Sequence, residues 1–275
     1  MKLFLSILQN FFLEKDVRNV SVDENLLLEI HRKILQKKKL LHSAFNTFYK
    51  LMSDSCDKFL TAEGLEIELG SGSGFFKNAR PGLITSDIRT AEYIDMILDA
   101  QKMNLKNDSV KVFYGINVFH HLPKPEIFFK EAIRTLKTGG GIILIEPHNG
   151  FISSTVHKLL HKNEYFDTKV PKWRNYEIKG PLSGANQALS HIIFIRDRKL
   201  FEKKFGNKLI ITHHGYVNNW LRYFFSGGVN FKQLLPSFFE KPFIIIEKIL
   251  SPFAKHLSLH HIIVIKKQAL RKNKF

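Results

Sequence analysis

The sequence predicts a doubly wound α/β fold, and three observations lead there. Short β-prone runs alternate with helices from residue 65 onward, a glycine-rich turn follows the first run directly, and 275 residues can cover a parallel sheet on both faces. The runs are Leu65–Leu69, Leu83–Ser86, Met96–Leu98, Val110–Tyr114 and Ile142–Ile145, each short, β-prone and broken by a turn or a helix. One large domain with insertions suits this length better than two independent domains.

The remaining elements follow in order. Residues 22 to 60 carry apolar side chains at helical spacing (Leu26, Leu27, Ile30, Ile34, then Leu41, Phe45, Phe48, Leu51), which predicts two amphipathic helices and makes 1–60 an N-terminal helical cap. Between them Lys37-Lys-Lys39 reads as a solvated face or turn. Pro125 to Leu136 reads as a helix ended by Lys137-Thr-Gly-Gly-Gly141. Residues 147–190 lack a strong period but hold Trp173, Tyr176 and Gly180-Pro-Leu-Ser-Gly-Ala-Asn186, so they are expected to form a substrate lid. Ile192 to Phe205 reads as a helix, Lys208–Thr212 and Ile262–Ile265 as the last two strands, and residues 215–259 as an apolar helical insertion. There are no internal repeats.

Composition narrows the partners. The net charge of +17 suits either an anionic partner or a solvated lysine-rich surface. A single cysteine, Cys56, excludes an intramolecular disulfide, a four-cysteine zinc site and a three-cysteine radical cluster, and fits a reducing cytoplasm. The opening run Met1–Leu8 is too short for a signal peptide, and no stretch approaches the ~18 apolar residues that span a bilayer.

The chemistry sits in Glu66-Ile-Glu-Leu-Gly-Ser-Gly-Ser-Gly74. Glycines after a strand let backbone approach a ligand closely, and the spacing G-x-G-x-G differs from the G-x-G-x-x-G of dinucleotide sites. Glu68, two residues before Gly70, would repel a pyrophosphate and suit the cationic amino acid portion of a sulfonium cofactor. Here the chain resembles the class I S-adenosylmethionine-dependent methyltransferases, in particular the type 11 group. The first motif carries Glu68, Gly70, Ser71, Gly72 and Gly74. Asp87 in Thr85-Ser-Asp-Ile88 resembles the acid that holds the ribose hydroxyls, with Ile88 beside it, and Asp99-Ala100-Gln101 the acid that receives the adenine amino group. Tyr114-Gly-Ile-Asn-Val-Phe-His-His-Leu122, with Asn117 in the cofactor pocket, and Leu136 to Pro147 resemble the fourth and fifth strand motifs. The resemblance implies a Rossmann-like, mostly parallel seven-stranded sheet with an antiparallel last strand. It makes 61–275 the methyltransferase domain and S-adenosylmethionine the cofactor. Residues 16 to 60 and Gly180 to Arg198 also resemble a subgroup often found among genes for surface polysaccharide or lipid-linked glycan synthesis.

In-line methyl transfer to a hydroxyl needs positioning, exclusion of water and a base. His120, His121 and Glu146, just past the fourth and fifth strands, are the candidate catalytic residues; the alternative is that they shape the cofactor pocket. His148, Glu164, Ser183 and Asn186 are candidates to bind a polyhydroxylated acceptor, against a plain turn for the Ser-Gly-Asn cluster. No metal ligand set is assigned, although antiparallel pairing of the last strands would bring His213-His214 beside His260-His261. The apolar stretch 236–256, interleaved with Lys241, Lys248 and Lys255, suits an in-plane helix at the inner face of an anionic membrane, or else a buried cap. The leading expectation is O-methylation of a glycan or lipid-linked sugar. The alternatives are an RNA or small-molecule methyltransferase and a non-catalytic cofactor-binding scaffold. A nucleic acid is the less expected partner, because the basic residues are scattered rather than striped.

Overall fold

The computed structural model describes residues 12–160, 164–173, 180 and 183–269; the Met1–Leu8 run and Tyr176 lie outside the described residues. Seven strands form one sheet: β1 (Leu65–Leu69), β2 (Ile84–Asp87), β3 (Met96–Ile97), β4 (Val110–Ile116), β5 (Leu136–Pro147), β6 (Leu209–Tyr216) and β7 (His260–Lys267). Their order is β3-β2-β1-β4-β5-β7-β6. The pairs from β3 across to β5 are parallel, and only β7 runs against its neighbours β5 and β6. The order reverses between β1 and β4, and in such sheets the crevice outside the carboxyl ends of the two strands at that switch is where ligands bind.

Both faces are covered, as continuous apolar strands require. Helices α1 (Leu26–Lys37) and α2 (Lys39–Phe59) lie on one face, where Leu35, Phe48 and Met52 share a core with Val112, Tyr114, Ile143, Ile145, Ile262 and Val264. A short helix α3 (Phe76–Ala79) follows the first glycine turn, and Phe76 joins this same core. On the other face α4 (Pro125–Thr135) and α6 (Arg198–Phe205) pack Phe128, Phe129, Phe201 and Phe205 against Phe113, Ile142, Leu144, Ile263 and Ile265. A shift of register between Val110 and Val112 puts Val110 on the same face as Phe113 although an even spacing would oppose them. In chain order α5 (Phe151–Leu160) follows β5.

Three expectations change. First, Lys38 is not a solvated turn residue: it is 6% exposed, pairs with Glu14 at 2.8 Å and donates to the Gly228 and Phe231 carbonyls. Residues 12–14 and 227–231 close over the helix junction and give its ammonium a partner. Second, the Gly139–Gly141 segment does not follow the helix as a turn, because β5 begins at Leu136, where α4 ends, and runs through the glycines. Third, Ile192–Phe205 is not one helix. Ile192–Arg196 forms wider π turns, and Asp197 leaves helical geometry because its carboxylate is held by Arg196 and by Trp173 Nε1 at 2.9 Å.

The 215–259 insertion holds α7 (Trp220–Ser226), α8 (Glu240–Ile249) and α9 (Ala254–Leu257). Leu221 and Phe243 form a small core with Leu40 of α2. Beside it Arg222 Nε binds Glu247 Oε2 at 2.8 Å, both side chains buried, and Arg222 Nη1 donates to Ser43 O at 3.0 Å. One face of α8 is therefore docked. The other leaves Ile244, Ile245, Ile246 and Ile249 in solvent, flanked by Phe238 and Phe253.

Candidate active site

β1 ends at Leu69 and the chain turns through Gly70 and Gly72, at φ +58° and +52°, in the left-handed region that favours glycine. A Cβ on Gly70 would stand 2.5 Å from Val118 Cγ2. One on Gly72 would meet nothing nearer than Gly70 O at 3.9 Å and would intrude on the cavity that Gly72 lines. Serines stitch the turn to β2: Ser71 N donates to Ser86 O (2.8 Å), Ser86 N to Ser71 Oγ (2.9 Å) and Ser86 Oγ to Glu68 O (2.7 Å). Glu68 itself is 4% exposed, and its Oε2 has no hydrogen-bond partner among the described residues. Burial, with Asp87 adding to it against a hydrogen bond from Ser71, pushes its carboxyl up to about 8.

From this turn a cavity of about 630 Å³ extends toward the inserted segments. Much of its wall is apolar, with Leu28, Phe45, Val156, Phe224, Phe231 and Leu234 contributing. Its polar groups include Asn117, His120, His121, Glu164 and Gln187. Asn117, held at φ +52° with its N–H on Ile145 O, leaves Oδ1 buried without a partner among the described residues. His120 Nδ1 donates to Glu146 Oε2 at 2.6 Å, and its Nε2 lies 3.5 Å from Glu164 Oε2. Burial opposes a charge on His120, but Glu146 and Glu164 outweigh it and raise the imidazole to about 10. His121, ring to ring with His120 at 4.2 Å, is lowered to about 3 by burial and by that neighbouring charge. The pair is thus one imidazolium and one neutral imidazole at neutral pH. Glu146, completely buried, also accepts the backbone N–H groups of Val118 and Phe119 at 2.9 and 2.8 Å and of His120 at 3.3 Å.

A family model described as a methyltransferase domain matches residues 78–144, from α3 through most of β5. The chain is an S-adenosylmethionine-dependent methyltransferase, and its residues 78–144 match the type 11 domain. Solved structures similar to the methyltransferase include geranyl diphosphate C-methyltransferase from Streptomyces coelicolor A3(2). Identity is 12%, over 87% of this chain and 84% of that one, with a TM-score of 0.45. A chain of the complex between the Haloferax volcanii Trm112 activator and a methyltransferase is 10% identical over 90% and 99%, with a TM-score of 0.48. A methyltransferase from Thermotoga maritima is 23% identical over 48% and 68%, with a TM-score of 0.37. No curated protein matches the sequence.

The methyltransferase's own residues fit the cofactor. The glycine cradle would be filled by a Cβ at Gly72, the unpartnered Glu68 Oε2 suits a cationic ligand, and Asn117 Oδ1 awaits a donor. Glu68, Gly70, Ser71, Gly72, Asn117, His120, His121 and Glu164 all line the cavity. Gly74, Asp87, Ile88, Asp99 and Ala100 do not, but they stand at or just beyond the carboxyl ends of β1, β2 and β3, and Leu98 N bonds Asp87 O at 3.0 Å, joining their two segments. Asp87 is buried against Arg89, whereas Ile88 and Asp99 are exposed.

Three acceptor candidates lie off the cavity wall. His148 is buried with Nε2 near Lys255 O (3.0 Å) under α9; Ser183 Oγ donates to Asp23 at 2.7 Å; and the Asn186 amide bridges Asp167 and Ala188 as a loop staple. Glu146 also has no direct face on the cavity; its carboxylate is bound to His120 Nδ1 behind the wall. The edge histidines divide between the faces: His214 Nε2 meets His261 Nδ1 at 3.2 Å, while His213 stacks on Phe59 and His260 meets Tyr223 edge to face. The cavity also takes Tyr49, Arg89, His157, Gln187 and Tyr223, which the sequence reading passed over. Arg89 directly follows the Thr85–Ile88 motif, and the others come from helices and insertions where no motif marks them. For Gln187 the only signal was its place in the turn-rich stretch before Ile192.

Proposed function

We propose that this methyltransferase O-methylates an amphiphilic acceptor, a lipid-linked sugar or related glycan-bearing lipid, at a hydroxyl group. The observation that carries this reading is the cavity: a largely apolar wall that suits a lipid tail, and one polar corner at His120, His121 and Glu164 that suits a hydroxyl. S-adenosylmethionine supplies, when bound, an electrophilic methyl group on a sulfonium. Gly70, Ser71, Gly72 and Gly74 would cradle it, with Glu68 at its ammonium, Asp87 and Ile88 at the ribose, Asp99 and Ala100 at the adenine and Asn117 beside the turn. Glu68 must be ionised to do this, so affinity should rise with pH toward about 8 and fall above it as the ligand's ammonium loses its proton, whereas Glu68→Gln should bind more weakly and lack the rising limb. Calorimetry across pH 6 to 9 checks this; a wild-type profile without slope would remove Glu68 from the role.

In the polar corner, Glu164 accepts the hydrogen bond of the acceptor hydroxyl and takes its proton as the methyl group transfers, and the neutral His121, with Nε2 3.8 Å from Glu164 Oε1, flanks that carboxylate. His120, already protonated, serves as a donor and not as the base, and Glu146 is a positioning residue behind it. The apolar wall excludes competing water. The exposed isoleucines of α8, with Lys241 and Lys248 on the same helix and Lys255 beyond it, suit an anionic bilayer surface from which such an acceptor would be drawn. Among the described residues no helix is long and apolar enough to cross a membrane. With labelled S-adenosylmethionine and cell lipid presented in anionic vesicles, label should enter the organic-extractable fraction as an alkali-stable ether. Ile245→Glu with Ile249→Glu should lower that transfer while leaving the fold intact, because both side chains are solvent-exposed. Label confined to RNA or protein fractions would refute the reading.

A further inference from the structure

We propose that His120, His121 and Glu164 form a site for one divalent metal ion of the zinc class, with an open coordination position facing the acceptor cavity. One ligand atom from each residue lies within 4.8 Å of the other two. His120 Nε2 is 3.5 Å from Glu164 Oε2, and His121 Nε2 is 3.8 Å from Glu164 Oε1. A tetrahedral zinc ion with bonds of about 2.0–2.2 Å holds its ligand atoms roughly 3.3–3.6 Å apart, so the cluster needs only a small contraction to close around one. Two imidazoles and one carboxylate are a mixed nitrogen and oxygen set, which suits zinc better than magnesium or calcium, whose ligands are oxygens.

The groups behind the ligands strengthen the case. Histidines that bind metals usually donate their second ring N–H to a carboxylate, and His120 Nδ1 does so to Glu146. That carboxylate cannot swing away, because backbone N–H groups of the turn hold it. Glu164 is braced likewise: Gln187 Nε2 donates to its Oε2 at 2.5 Å. Both histidines come from the turn after β4 and Glu164 from the segment after α5, so only the fold brings them together. All three line the cavity, so a fourth ligand reaches the ion from there. Binding the ion displaces the proton from His120 Nε2 and makes Glu164 a ligand in place of the base; under the acceptor reading above, the fourth ligand is the hydroxyl oxygen, which the ion would orient and polarise. Binding of the ion itself does not depend on that reading. The His214–His261 contact does not gather a third ligand of this kind; among the described residues the cluster at Glu164 is the one such group.

The test uses the full chain, stripped by chelation, with neither cofactor nor acceptor present. Zn²⁺ is titrated calorimetrically, and Co²⁺ is followed by its visible absorption as a probe of coordination. One equivalent should bind. Glu164→Gln, which keeps the side-chain shape, and His121→Ala should each weaken Zn²⁺ binding by at least about tenfold. His214→Ala should leave it unchanged. Melting curves establish that each variant folds, and if His121→Ala does not, Glu164→Gln decides alone. No stoichiometric binding by the wild type, or a Glu164→Gln affinity equal to wild type, overturns the site. Transfer of methyl groups to RNA or protein instead would overturn the acceptor reading and leave this one standing.

Discussion

Gly70→Ala should cut S-adenosylmethionine affinity by about two orders of magnitude while leaving the protein folded. A non-glycine residue in the left-handed region costs roughly 1–2 kcal/mol. The new methyl would also stand 2.5 Å from Val118 Cγ2, and relieving such an overlap costs typically about 1–3 kcal/mol. Val118 is poorly placed to retreat, because its N–H is bound to the buried Glu146. The turn relaxes instead, and binding must restore the strained shape. About 3 kcal/mol corresponds to roughly 100-fold in Kd. Calorimetry of wild type and variant measures this. Gly82→Ala is the control: its φ is +89° but a Cβ there meets nothing within 4 Å, so it carries backbone strain without touching the cofactor turn. Equal affinities for Gly70→Ala and wild type would show that the turn does not cradle the ligand.

Glu146→Ala should be the most destabilising single change at the site. It strands the His120 charge and removes the acceptor for the Val118, Phe119 and His120 backbone N–H groups in a fully buried setting. Breaking a buried pair by deleting one partner costs about 3–5 kcal/mol. For a chain of this size that corresponds to a fall in Tm of roughly 6–20 °C. Transfer by the surviving folded protein should drop about 100-fold, because His120 and His121 ride on the turn that Glu146 holds. Because the folded-state pKa of His120 is raised from 6.5 to about 10, its pairing stabilises the wild type fully below pH 6.5 and is lost as pH rises through about 10. The gap in melting temperature between wild type and Glu146→Ala should therefore narrow at strongly alkaline pH to the part set by the lost backbone acceptor. A shift in Tm under about 2 °C at neutral pH, a fraction of 1 kcal/mol, would show that the carboxylate is not needed to hold the turn.

Most of the sheet was legible because its signals are local. The runs Leu65–Leu69, where apolar residues alternate with Glu66 and Glu68, and Val110–Tyr114 and Ile262–Ile265, rich in β-branched or aromatic residues, all became strands on that account. The glycine turn was legible for the same reason, since Gly70 and Gly72 answer to backbone conformation at their own positions. His120, His121 and Asn117 lie within a few residues of the end of β4, and proximity to that strand end was enough to bring them to the cavity.

Lys38, His148, Ser183 and Asn186 show where sequence stops. Each is polar, and its role depends on which distant segment arrives beside it: Glu14 and Phe231 for Lys38, Lys255 for His148, Asp23 for Ser183 and Asp167 for Asn186. The convergence of Glu164 on His120 and His121, and the choice between a charged and a neutral imidazole within that pair, are likewise products of burial and long-range neighbours. The sequence by itself determined the strand and helix order and the glycine turn, because backbone propensity and periodicity are written within a few residues. Only the tertiary structure decided the polar corner, because hydrogen-bond partners and desolvation depend on segments that no local pattern connects.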